Sequence, residues 1–537
     1  MVSITETDVL IVGGGPTGVA LALELAAQKI PFRLIDKDLQ RSDKSRALGI
    51  QPRTLELMNR HGNVRDFISR GNLSHGTTFY INGKKAADID ISGLADDTAF
   101  PLILIISQVE TEVYLDECLA NYGFSVERGL EAKSIVQDPK GVTVTLNKPD
   151  GTQETVRAKF VVGADGAHST VRHAATGLTF QGEAYPQDFI LCDASIRNSK
   201  IAWDRFSLCM GRGSLAVFPL KDGTCRVVVS RMDADQDAEL KLEDFQTMLN
   251  NLHADAGELY NPTWITRFHL HHRGVNSYRD GRLFVAGDAA HIHSPAGAQG
   301  MNTGIQDAVN LGWKLAKVIR GERLESFLDS YDVERRPIGQ HLLESSDKMF
   351  TWGTSSNPFF VTFRNVLFNW ALPWYVSSKN RRANIFKFIS EFGISYKESS
   401  FVGSTSGHSG KIGAGDRVPD RKVESSGNEK WFHELLTPET HHLVFFSGVG
   451  QQAATKEAIL DAHSKFEKSN RAEKTKVHTI FNAKAGSVNA DGYTDIGNRL
   501  HEDFGCSKPT YIYIRPDTYI EHIGLLSEIN ELSKWLQ

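Results

Sequence analysis

Gly13, Gly15 and Gly18 form a GxGxxG run inside "VLIVGGGPTGVALALELAAQ", and Asp36 closes the later segment "PFRLID". This pattern suits a dinucleotide. Gly13 makes the tight turn, Gly15 lets a pyrophosphate approach the backbone, and Gly18 lets helix and strand close up. The helix N-terminus then holds phosphate, and the carboxylate accepts from a ribose hydroxyl. Pro16 and Thr17 in the loop and Lys37 beside the acid complete this candidate set. An acid at position 36 disfavours a 2′-phosphate, so the site suits FAD or NAD better than NADP.

Two more carboxylates follow apolar runs. Asp165 lies in "AKFVVGADGAHSTVRHAA" between Gly163 and Gly166, ahead of Ser169 and Arg172. Asp288 lies in "LFVAGDAAHIHSPAGAQGMNTGIQDAVNLGWKLA", where a strand gives way to Gly, Ala, His and Pro and then to a helix. That helix aims its positive end at the gap, which favours an anionic or electron-rich group there. Three strand ends converging on one ligand imply a longer cofactor than NAD, held at several points.

In "ITRFHLHHRGV", a period of two puts Arg267, His269, His271 and Arg273 on one face of a strand. His269 or His271 could serve there as a general base. A metal reading of His269, His271, His272, His291 and His293 fails, since no carboxylate or thiolate cluster accompanies them at ligand spacing.

The elements that must position these residues follow from the patterning. Val9 to Val12 reads as a parallel strand buried on both faces, and Val19 to Gln28 as a helix. The helix after Asp288 carries an apolar stripe at Ile305, Val309, Leu315 and Val318–Ile319. "SLAVFPLKDGTCRVVVSR" reads as a hairpin around Asp222–Gly223. The segment Pro358 to Val376 is apolar but interrupted by Arg364, Asn365, Asn369 and Pro373, so it reads as a buried or interface helix, with one-sided membrane contact as the alternative, and not a membrane span. A chain of 537 residues exceeds one core, and at roughly 150 residues per domain it holds about three or four units. Its net charge of −5 gives no general pull toward nucleic acid. The five cysteines are scattered with no CxxC pair, which fits a reducing, cytoplasmic setting. The N-terminus has no basic region or apolar run of signal-peptide length.

Taken together, the motifs resemble the group A FAD-dependent aromatic hydroxylases, of the p-hydroxybenzoate hydroxylase and phenol 2-monooxygenase family. GxGxxG, "GADG…R" and "GDAAH…AQGMN" occur in the family's order, and "SRALGIQPRTLELM" and "SQVETEVYL" match its intervening segments. The resemblance covers about residues 5 to 345. It implies an α/β fold: a Rossmann-type FAD-binding domain interleaved with a β-sheet substrate domain, and a thioredoxin-like C-terminal α/β domain. The expected division is 1–180 and 276–400 for the FAD-binding domain with its helical segment, 181–275 for the substrate domain and 401–537 for the tail. Asp36 would hold the adenosine ribose, and Arg46 and Gln108 the pyrophosphate and ribityl region. Asp288 would bind the ribityl chain, the backbone of Gly300, Met301 and Asn302 would face the N1–C2=O edge of the flavin, and Asp165 would serve flavin and nicotinamide. Pro295 joins the catalytic candidates because its loop borders the place where oxygen reacts. Here that loop reads "PAGAQG", with Ala298 where the family has glycine.

The implied activity is hydroxylation of a small phenolic or polyketide-like aromatic with NAD(P)H and O2, by a homodimer. The linker-like "VGSTSGHSGKIGAGDRVPD" opens the tail, whose "RPD" also matches the phenol hydroxylase branch; Cys506 has no partner for thiol redox chemistry. A flavin epoxidase, a Baeyer–Villiger oxygenase and a non-enzymatic escort protein share the fold and stay open, the last disfavoured by the "GDAAH…AQGMN" segment. A halogenase's WxWxIP motif is absent.

Overall fold

The computed structural model describes residues 4–42, 47–91, 96–211, 213–231, 239–253, 255–293, 299–354, 357–404, 407–408, 410–450, 453–468, 475–483 and 492–536. Arg46, Pro295 and Ala298 lie outside them.

The first sheet is built on Ile4–Val12, flanked in parallel by Phe32–Asp36 on one side and Gln153–Gly163 on the other. Leu283–Val285 adds in parallel beyond Gln153–Gly163. Val9 to Val12 are buried, as a strand covered on both faces requires. The helix Pro16–Ala27 begins with Pro at its first position, where the missing N–H costs nothing. In register, Val12 stands beside Ile35 and Gly163, and Gly163 beside Val285. Four strand ends therefore finish level, and the turns after them open on one edge.

The second sheet is largely antiparallel, in the order His291–Ile292, Glu258–Val275, Phe180–Arg197, Thr224–Arg231, Gly213–Pro219, Phe206–Gly211, Gly76–Ile81 and Lys84–Asp90. The hairpin turn expected at Asp222–Gly223 is a short 3-10 turn, Lys221–Gly223. Two strands from within residues 1–180, Gly76–Ile81 and Lys84–Asp90, pair into this sheet, so its strands are not confined to 181–275. Arg273 and Gly274 pair with Ile292 and His291, tying this sheet to the turn that follows Leu283–Val285.

The third sheet lies in the C-terminal part, with His441–Phe446 between parallel Thr475–Phe481 and antiparallel Thr510–Ile514. Arg515, Pro516 and Asp517 leave it and enter the first unit. Arg515 pairs with both oxygens of Glu334 at 2.9 and 3.0 Å, and its guanidinium lies 5.0 Å from the Trp313 ring centre. The Pro516 carbonyl accepts from Arg60 and the Asp517 carbonyl from Arg53, while the Asp517 carboxylate accepts from the Trp313 indole.

The helix Pro358–Ser377 differs from its reading as a covered helix. Arg364 and Asn365 turn inward and the aromatic residues turn outward, because Arg364 is held by the carbonyls of Trp352 and Gly211. No helix among the described residues is long and apolar enough to cross a membrane.

Burial would raise the Glu334 carboxyl, but Arg515 and Lys314 overcome it and hold it down at about 2. Arg515→Leu leaves Asp517 buried without its cation and Glu334 with Lys314 alone, so it is expected to destabilise the fold by about 3–5 kcal/mol, read by urea unfolding. Glutamates of the unfolded chain titrate near pH ~4.3. The wild-type stability carried by Glu334 is therefore present above that pH and lost as pH falls toward about 2; a variant with unchanged acid sensitivity would contradict this.

Candidate functional site

The glycine loop separates the three tasks set for it. A Cβ on Gly13 would sit 2.2 Å from the Ala164 carbonyl oxygen, and φ there is +112°. A Cβ on Gly18 would sit 1.9 Å from the Gly13 oxygen. Both glycines are demanded by the chain itself. At Gly15 a Cβ would meet nothing within 4 Å, and φ is −80°. Neither strain nor crowding from the protein explains glycine there.

Around this loop, Asp36 accepts from Gly14 N–H at 2.6 Å and from Asp38 N–H at 2.8 Å. Lys37 beside it is exposed. Asp165 divides its carboxylate. One oxygen accepts from Thr170 and Val171 N–H at 2.6 and 3.3 Å, while the other is buried with no hydrogen-bond partner among the described residues. Burial pushes the Asp165 carboxyl up, against the lowering effect of the Ser169 hydroxyl and of these backbone N–H groups. An orphaned buried acceptor is costly, and a ligand donor would relieve it.

On the third strand, Gly287–Ala289 forms a 3-10 turn that buries Gly287 and Ala289 and leaves Asp288 exposed. Thr17 packs against this turn: a Cβ on Gly287 would lie 2.6 Å from the Thr17 hydroxyl, and one on Gly304 would lie 2.5 Å from it. The first helix, the Asp288 turn and the helix Gly300–Ile319 thus meet at Thr17. The helix Gly300–Ile319 has no side-chain cap at Gln299, and Pro16–Ala27 has none at Gly15, so both leave N-terminal N–H groups to another partner.

Gly300 and Met301 occupy the first turn of that helix. The side chain of Asn302, fully buried, accepts from Gln51 N–H at 2.9 Å and donates to the Gly49 carbonyl at 3.1 Å. Gln108 starts the helix Gln108–Asn121; its amide accepts from Ala47 N–H at 3.4 Å and donates to Glu112 at 2.9 Å. These bonds bring the Ala47–Gln51 segment to the same edge as the strand ends.

His271 and His269 lie on the strand Glu258–Val275, and the His269 side chain lies outside the described residues. His271 is half-buried, and its Nδ1 is buried with no hydrogen-bond partner among the described residues. Arg273, two residues on, is paired with Ile292, so His271 stands close along the chain to the Asp288 turn. Among the described residues, Glu56, Asp420 and His433 lie within ligand distance of one another. Arg53 and Arg417 already occupy the Glu56 carboxylate, and a metal ion would have to displace them.

Motif reading missed Asp307. It is fully buried and accepts from Gly287 N–H at 3.2 Å, from His291 at 2.9 Å and from Arg335 at 2.7 Å. Burial would raise its carboxyl, yet Arg335 and His291 hold it below the usual range. Asp307 therefore fixes the turn that carries Asp288. The available signal was an acid between Ile305 and Val309, inside the apolar stripe.

Residues 6–346 match the model of the FAD binding domain family. Pentachlorophenol 4-monooxygenase of Sphingobium chlorophenolicum is 34% identical, over 78% of this chain and 76% of its own. An uncharacterized aromatic compound monooxygenase of Bacillus subtilis is 37% identical over 63% of this chain and 67% of its own. The solved anhydrotetracycline hydroxylase of Streptomyces rimosus superposes with a TM-score of 0.75 at 27% identity, covering 99% of this chain and 98% of that one.

Two substitutions distinguish a ligand glycine from a structural one. Gly15→Ala is expected to leave apoprotein unfolding unchanged within about 1 kcal/mol and to weaken FAD binding; Gly18→Ala is expected to cost stability outright. Equal effects on apoprotein stability would remove Gly15 from the site. Asp288→Ala should weaken FAD by about 1.5–3 kcal/mol through loss of a charge-assisted hydrogen bond, read by fluorescence titration.

Proposed function

The chain belongs to the FAD binding domain family, and from that premise we propose that it is an FAD-dependent monooxygenase hydroxylating a phenolic or polyketide-like aromatic. The observation that carries this reading is the edge where the strand ends finish level. It joins the open space at Gly15, the unpartnered oxygen of Asp165, exposed Asp288 and two uncapped helix N-termini.

When bound, FAD would accept hydride from NAD(P)H and activate O2 for transfer of one oxygen atom to the ring. The chain's own residues supply the rest. Asp36 accepts from the adenosine ribose, and the N–H groups of Gly15 and Thr17 hold the pyrophosphate. Arg46, Lys37 and Gln108 contact its flanks, and Asp288 accepts from the ribityl hydroxyls. Gly300, Met301 and Asn302 direct backbone N–H groups to the electron-rich edge of the ring, where the helix end favours negative charge. His271, with His269 beside it, takes the phenol proton and so raises the nucleophilicity of the ring carbon. Pro295 shapes the loop beside the reacting oxygen.

The C-terminal unit is a thioredoxin-like domain that braces the fold; the assembly is a cytoplasmic homodimer. Cys506 is fully buried, and burial pushes its thiol up to about 12, which leaves no thiolate for redox chemistry.

The purified protein is expected to be yellow, with acid releasing FAD into the supernatant, and to yield a product heavier by one oxygen atom. A colourless protein that refuses added FAD would sink the proposal. Anaerobic flavin reduction by NAD(P)H should be at least about tenfold faster with the true substrate, a barrier difference of roughly 1.4 kcal/mol. Equal rates would favour the Baeyer–Villiger type of oxygenase. His271→Ala should lower turnover with FAD affinity unchanged, and the loss should shrink at high pH, where a phenol ionises near pH ~10 without a base.

A further inference from the structure

The helix Pro358–Ser377 is turned inside out. Its buried side holds Arg364 and Asn365, while Phe359 is 87%, Trp370 81%, Trp374 63% and Phe363 61% exposed. Val366 and Leu367 are exposed between them. At 3.6 residues per turn these six fall within roughly 100° of arc, one continuous apolar stripe. Single exposed apolar residues need no explanation; a stripe of large aromatics along a whole helix does.

The segment that carries the stripe has charge of one sign. From Lys348 to Ser390 the sequence contains no Asp or Glu and six Lys or Arg. Arg381 and Arg382 fold back on the helix C-terminus. Arg381 donates to the Trp374 and Tyr375 carbonyls and stacks 3.9 Å from the Trp374 ring centre, and Arg382 donates to the Val376 and Ser377 carbonyls. Lys379 and Lys387, on the next helix, Lys379–Ile389, are exposed. No carboxylate among the described residues pairs with these four cations.

We propose that this stripe and its cationic end form a seat for an anionic bilayer surface, with the helix lying in the headgroup layer. The chemistry matches on both counts: aromatic side chains enter the interfacial region, and Lys and Arg meet lipid phosphate. A second copy of this chain seated on the same stripe would cover the aromatics but bring no acid from this segment to meet the cations. The inward Arg364 and Asn365 keep the helix from spanning, so contact is one-sided. The helix packs on Lys84–Asp90, the edge strand of the second sheet, and the carbonyl of Phe388 accepts from Gln299, the residue before the helix Gly300–Ile319. The seat thus lies beside the sheet proposed to hold substrate, but its binding does not rest on that activity.

The test is flotation of the FAD-loaded full chain with vesicles of phosphatidylcholine alone and of phosphatidylcholine with phosphatidylglycerol. At least about tenfold more protein should float with the anionic vesicles, given two to four cations near the surface. Tryptophan emission should shift to the blue, and the binding should weaken as salt rises. Phe359→Ser/Trp370→Ser should abolish flotation while flavin absorbance stays unchanged, and Lys379→Glu/Lys387→Glu should erase the preference for anionic lipid. No flotation with either vesicle overturns the proposal, as does equal flotation with both. A dimer in light scattering that Phe359→Ser/Trp370→Ser dissociates would also overturn it, by assigning the stripe to a second copy.

Discussion

Burying a helix on every side obliges each polar residue on it to find a partner. From Asn302 to Ala316 the helix Gly300–Ile319 is fully enclosed, and it carries Asn302, Gln306, Asp307, Asn310 and Lys314. An unpaired polar group there would cost about 1–3 kcal/mol. The partners met by these five define the architecture: Gly49 and Gln51 for Asn302, Glu391 for Gln306, the Asp288 turn for Asp307, and Glu334 for Asn310 and Lys314. Site and scaffold are positioned by the same set of bonds.

The C-terminal unit completes that set. Glu334 answers to Lys314 from one side and Arg515 from the other, and Trp313 reaches Asp517. The short run Arg515–Asp517 thus works as a wedge behind the helix whose opposite end faces the cofactor edge. A tail with no redox chemistry of its own still reaches the site through one rigid element.

Much of this was legible in the residues. The order strand, glycines, helix, acid has a separate physical demand at each position, and the two glycines required by packing, Gly13 and Gly18, meet theirs at contact distance. Asp307 was not legible, because periodicity counts apolar positions and is silent on an acid set among them. The pairing of Gly76–Ile81 and Lys84–Asp90 with the second sheet was hidden for another reason. Strand alternation shows that a segment has a partner, while which sheet supplies it depends on contacts far along the chain. In Pro358–Ser377, hydropathy alone suggested cover, and only the anchoring of Arg364 shows that the apolar face points out.

Asp165 has one oxygen committed to a helix start and the other left without a donor. A ligand donor to that oxygen would make the apoprotein and the loaded protein different substrates for cellular quality control. It would remove a local penalty carried by the empty chain, and mass action would convert the difference into a population of opened molecules. Proteases that sample such openings would clear the unloaded chain first. Steady-state abundance would then follow the supply of flavin, with no dedicated regulator.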